Sequence, residues 1–133
     1  MSESPLLACD VGLKRIGLAL YVGGVVLPLE PIIRLNRRQA SQDLQSLLEV
    51  RKPQKLLVGL PHARYADTRK RVLHFVSLLD FTPMVYVDEE SSSTQALEHT
   101  AHLARMKRQQ ARKNGVLDSL SACVILERYL QGT

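Results

Sequence analysis

The sequence predicts an α/β fold, a mixed five-stranded sheet in which an antiparallel meander is followed by parallel strands and flanked by helices. Two observations carry that expectation. Three short apolar runs broken by glycine and proline open the chain, each too short for a buried helix and of a length that suits strands. The hydrophobic period then changes, and helical spacings alternate with short apolar runs, the βαβ pattern of parallel pairing.

Leu6-Leu7-Ala8-Cys9 forms the first strand, with Asp10 inside it or at its end, and Gly12 turns the chain into a second strand over 16–21. Val25 to Leu29 and Ile32-Ile33 give a third strand, interrupted or ended by Pro28 and Pro31, which belong at an edge or a strand end. Ala40, Leu44, Leu47 and Leu48 then follow helical spacing, and Leu56-Leu57-Val58 is a buried strand that ends at Gly59-Leu60-Pro61. Val72, Phe75, Val76 and Leu79 mark a second amphipathic helix, and Met84-Val85-Tyr86-Val87 runs as a strand into Asp88-Glu89-Glu90. Ser92 with Gln95 makes a capping-box pattern ahead of Ala96, Leu97, Ala101 and Ala104, and so predicts a third helix. A final helix is expected from about Leu117 to Leu130.

The chain has 133 residues, 45% of them hydrophobic, the length of one domain (1–133) with enough apolar material for a proper core. Eighteen Lys and Arg against 13 Asp and Glu leave a net charge of +5, which favours an anionic partner such as nucleic acid. No apolar run approaches the length of a membrane span, and the first five residues lack the basic region and apolar core of a signal peptide, so a cytoplasmic location is expected. Cys9 and Cys123 lie in apolar runs and read as small buried hydrophobes, both reduced.

Asp10 lies between Cys9 and Val11, where a carboxylate faces a desolvation cost unless it is paired, hydrogen-bonded or bound to a cation. It could hold a metal or merely stabilise the Gly12 turn, and Lys14 and Arg15 could neutralise it or bind a phosphate beside it. Asp118 shares a helical stripe with Ala122, Ile125 and Tyr129, an inward position for an acid, although capping or dipole complementation also accounts for an Asp in a first turn. The run 105–115, with Arg105, Lys107, Arg108, Arg112 and Lys113, reads as a basic loop, either a solvated face or helix extension or an arm on phosphates. Tyr65 is a surface tyrosine or a stacking platform, the four histidines show no zinc-binding pattern, and Ser91 to Thr94 lack an orienting base for a nucleophile.

Asp10-Val11-Gly12 with Lys14-Arg15-Ile16-Gly17, Pro28-Leu29, Val58-Gly59-Leu60-Pro61, Asp88-Glu89, and Asp118 ahead of Leu120, Ala122, Ile125-Leu126 and Tyr129-Leu130 together resemble the YqgF/RuvX family over nearly the whole chain. Members of that family are RNase H-like proteins described as Holliday junction resolvase homologues and as nucleases for the 5′ end of pre-16S rRNA. The resemblance implies an RNase H-like fold and three catalytic, metal-binding acids, Asp10, Glu89 and Asp118. Mg²⁺ or Mn²⁺ suits such a set, because hard cations take oxygen ligands and can neutralise a phosphodiester while activating water. On this reading Lys14, Arg15, Arg105, Lys107, Arg108, Arg112 and Lys113 receive the nucleic-acid backbone of precursor rRNA or, in the alternative, branched DNA. A monomer or a homodimer is expected.

Two stretches depart from the family pattern. Glu90 stands after Asp88-Glu89 where many relatives carry Arg, and 62–67 lack the usual Asn/Gly-rich character. Glu90 makes a catalytically weakened RNA-binding module a second class of function, distinguished by RNA binding without metal-dependent cleavage. An actin-like ATPase also places Asp-x-Gly after a strand, but needs two domains, which 133 residues do not supply.

Overall fold

In a computed structural model of the chain, which describes residues 5–88 and 119–132, five strands form one sheet in the order β3-β2-β1-β4-β5. Strands β1 (Leu6–Val11), β2 (Arg15–Val22) and β3 (Val25–Ile33) form the antiparallel meander. Strands β4 (Lys55–Leu60) and β5 (Met84–Asp88) run parallel to β1, and helices α1 (Arg37–Arg51) and α2 (Ala66–Ser77) supply the crossovers around β4. The last described helix, α3, spans Leu120–Gln131. Among the described residues no helix is long and apolar enough to cross a membrane.

One difference from the sequence expectation concerns β3. Strand β3 is continuous through both prolines, because as the edge strand it need not pair on its outer side. The irregularity falls in the ladder instead, where Gly17 alone spans Glu30 and Pro31 between the Ile16–Ile32 and Leu18–Leu29 pairs. The final helix is described over Leu120–Gln131, and its expected start at about Leu117 lies outside the described residues. The helix expected after Ser92 and the basic run 105–115 also lie outside the described residues.

Side chains alternate across each strand, so the sheet has two differently covered faces. Leu7, Cys9, Leu18, Leu56 and Val58 pack under α1 and α2 with Leu44, Leu48, Phe75 and Val76. Leu6, Ala8, Ala19 and Leu57 pack under α3 against Ala122, Ile125 and Leu126. Asp10 continues the even-numbered series of Leu6 and Ala8 and therefore belongs to the α3 face.

Candidate active site

Strands β1, β4 and β5 are mutually parallel, so Asp10, the Leu60-Pro61 turn and Asp88 all lie toward the same edge of the sheet. Ligand sites of open α/β sheets form at such carboxyl ends. The half-buried Asp10 lines a cleft of about 240 Å³ together with Ser121, Val124, Ile125 and Arg128 of α3. Among the described residues no hydrogen bond or ion pair engages the Asp10 carboxylate.

Backbone and a neighbouring arginine hold the turn after Asp10. The Gly12 amide donates to the Arg15 carbonyl at 3.0 Å, and the Arg34 guanidinium donates to the Gly12 carbonyl at 2.6 Å while its own amide donates to the Lys14 carbonyl at 2.9 Å. Arg34 also lies 4.9 Å over the Phe75 ring, which ties the turn to the core under α2. A Cβ at Gly12 would come within 2.7 Å of the Arg15 carbonyl oxygen, so the turn excludes any side chain by contact. Gly12→Ala is expected to destabilise the fold by about 1–3 kcal/mol through overpacking, with a fall in activity of about 10²-fold if Asp10 shifts by an ångström. Thermal melts and turnover rates measured side by side check both effects, and a variant matching the native chain in both would refute the packing argument.

Helix α3 is fastened to the sheet at three points. Ser119 stands at its N-cap, yet its hydroxyl makes no cap bond. That hydroxyl accepts the Leu18 amide at 3.0 Å and donates to the Leu29 carbonyl at 2.5 Å, filling the ladder beside the irregularity at Gly17. Gly17 is the register partner of Asp10, so the start of α3 is stitched one residue along from the strand position opposite Asp10. At the other end the Lys55 ammonium meets the Tyr129 hydroxyl at 2.9 Å, and the Arg128 guanidinium donates to the Asp88 carbonyl at 2.6 Å.

Among the predicted site residues, the structure places Asp10 in the cleft and leaves Lys14 and Arg15 exposed at the turn that follows it. Glu89, Asp118, Arg105, Lys107, Arg108, Arg112 and Lys113 lie outside the described residues, although Asp88 and Ser119 adjoin two of the acids in sequence. Among the described residues no three His, Cys, Asp or Glu side chains gather to hold a metal ion. Sequence reasoning missed Ser119, Arg34 and Arg128. The Cys9 thiol is pushed up to about 12, first by burial and then by the Asp10 charge, so it stays protonated and unreactive at neutral pH. His62 uses Nδ1 to accept the Arg64 amide at 3.1 Å, and Tyr65 is an exposed ring with the Arg64 guanidinium 5.3 Å from its centroid.

Comparison with known families agrees with this architecture over the chain's length. The family described as "RuvX: Holliday junction resolvase" matches residues 4–132. The chain belongs to the RuvX family. Among curated relatives, a protein of Helicobacter pylori strain P12 is 55% identical over 127 residues, covering 95% of each chain. One of Helicobacter hepaticus is 48% identical over 130 residues, covering 95% of this chain and 94% of the relative. A Sulfurovum protein is 46% identical over 129 residues, covering 94% and 97%. All three bear the name "Putative pre-16S rRNA nuclease". In three dimensions the RuvX chain is similar to Thermus thermophilus RuvC, solved in complex with a Holliday junction substrate, at a TM-score of 0.58 and 15% identity, covering 97% of this chain and 96% of that one. That similarity shows the RNase H-like fold.

Proposed function

We propose that this RuvX chain is a divalent-metal-dependent endonuclease that processes the 5′ end of pre-16S rRNA in the cytoplasm, with Asp10, Glu89 and Asp118 as its catalytic acids. The observation that carries the reading is Asp10 itself, a carboxylate at the carboxyl end of the sheet, lining a cleft and without a protein cation on it among the described residues. The names of the relatives supply the substrate.

The donor set fits Mg²⁺ or Mn²⁺, since all three proposed ligands are carboxylates and the only other polar side chains lining the cleft among the described residues are a hydroxyl and a guanidinium. A bound ion of that kind would neutralise the phosphodiester's non-bridging oxygens and lower the pKa of a water. Asp10 holds its position through the Gly12 turn, which Arg34 locks from below. Asp118 precedes Ser119, whose hydroxyl is fixed on β2 and β3. Glu89 follows Asp88, the last residue of β5. Lys14 and Arg15, exposed beside the turn, receive the substrate backbone together with the basic residues of 105–113. Affinity for RNA should therefore fall steeply with salt.

The test is cleavage of a 5′-extended 16S precursor RNA and of a four-way DNA junction in Mg²⁺ and in Mn²⁺, comparing the native chain with Asp10→Asn. Metal-dependent cleavage of the RNA by the native chain alone is expected. Cleavage of the junction in preference to RNA would favour the resolvase activity for which the family is described, and RNA binding without cleavage would favour the RNA-binding module.

A further inference from the structure

Arg128 stands on α3 beside Glu127, seven residues after Ser121 and four after Val124, so Ser121, Val124 and Arg128 share one face of the helix. That face, with Asp10, lines the cleft. One amine of the guanidinium, Nη1, donates to the carbonyl of Asp88, the last residue of β5, at 2.6 Å. The other, Nη2, is buried and has no hydrogen-bond partner among the described residues. An unsatisfied buried donor is costly, and more so when it belongs to a cation.

A guanidinium is a rigid fork whose spacing matches the oxygens of a phosphate. Here one prong is tied to the main chain at the carboxyl edge of the sheet, which fixes the plane of the fork before any ligand arrives. Little rotamer entropy is then lost when the second prong is used. A site built from carboxylates also repels a phosphodiester, and a fixed cation on the opposite wall offsets that repulsion.

We propose that Arg128 is a substrate-binding residue, whose free amine takes a non-bridging oxygen of an RNA phosphodiester in the Asp10 cleft. The inference rests on the nuclease reading above. A purely structural strap from α3 to β5 is the competing role, and the two differ in their dependence on salt.

The experiment measures binding of fluorescein-labelled 5′-extended 16S precursor RNA across a series of KCl concentrations. The full chain carrying Asp10→Asn is compared with the same chain carrying Arg128→Gln or Arg128→Lys in addition. Loss of one phosphate contact lowers the slope of log affinity against log salt by roughly one, and weakens binding about tenfold or more. Arg128→Gln is expected to show both changes. Arg128→Lys keeps the charge but loses the fork, so it should retain the slope while losing affinity, and on the otherwise native chain it should raise KM more than it lowers kcat.

An unchanged slope and affinity in Arg128→Gln, with a lowered Tm, would assign the residue to the strap and overturn the proposal. Should that variant fail to fold, unchanged affinity and KM in Arg128→Lys would overturn it equally. A slope change on a four-way DNA junction but not on RNA would overturn the choice of RNA. If the chain with Asp10→Asn alone cleaves RNA as fast as the native chain, the nuclease reading fails, while the slopes still decide whether Arg128 meets a phosphate.

Discussion

Asp10→Asn is expected to reduce metal-dependent cleavage by about 10³-fold or more, since on the proposed reading it removes an anionic metal ligand and forfeits several kcal/mol of transition-state stabilisation. The fold should survive, because Asn is isosteric with Asp and no hydrogen bond of the turn uses the Asp10 side chain among the described residues. Melting temperature is therefore expected to stay near that of the native chain, or to rise as a half-buried charge is removed. Native-like affinity for precursor RNA in the absence of metal, with turnover lost, would separate a catalytic defect from misfolding. Turnover within a few-fold of native would remove Asp10 from the chemistry.

Ser119→Ala is expected to destabilise the fold strongly for the loss of a single oxygen atom. The hydroxyl is fully buried and serves two backbone groups at once, the Leu18 amide and the Leu29 carbonyl. Neither group has a replacement in the ladder, because β2 and β3 slip past one another next to this point. Leaving a buried backbone group without its partner costs about 1–3 kcal/mol, so two such groups give a loss of about 2–6 kcal/mol. For a chain of this size that lowers Tm by roughly 10–20 °C. Cleavage should fall further than stability accounts for when assayed well below the transition, because Ser119 directly follows Asp118, a proposed metal ligand. A Tm within about two degrees of the native chain would show that solvent or a backbone shift satisfies both groups.

The architecture was legible because each element declares itself locally. The continuous apolar run Leu6 to Cys9 and the helical stripe of Ala122, Ile125 and Tyr129 are short-range patterns, and both correspond to residues packed in the core of the structure. The site was legible only where chemistry coincides with such a pattern. Asp10 stood out because it interrupts an apolar strand.

Ser119 could not be recognised in the same way, since a serine before a helix carries the signal of an N-cap. Its actual partners lie 101 and 90 residues away in sequence. The role of Arg34 likewise depends on a carbonyl 22 residues earlier, and that of Arg128 on one 40 residues earlier. Such contacts have no period to reveal them. A cation four residues after Val124 and three after the buried Ile125 was the one available signal for Arg128, and the prolines of β3 were the signal for a ladder irregularity that falls opposite Gly17.

A crystal structure of the full chain grown with Mn²⁺ and read by anomalous scattering tests whether Asp10, Glu89 and Asp118 jointly hold a divalent ion. The expected result is one anomalous peak, or two roughly 4 Å apart, in direct coordination with carboxylate oxygens of all three acids. A peak that leaves Asp10 uncoordinated, or Glu89 and Asp118 carboxylates too distant to share an ion with it, would contradict the claim.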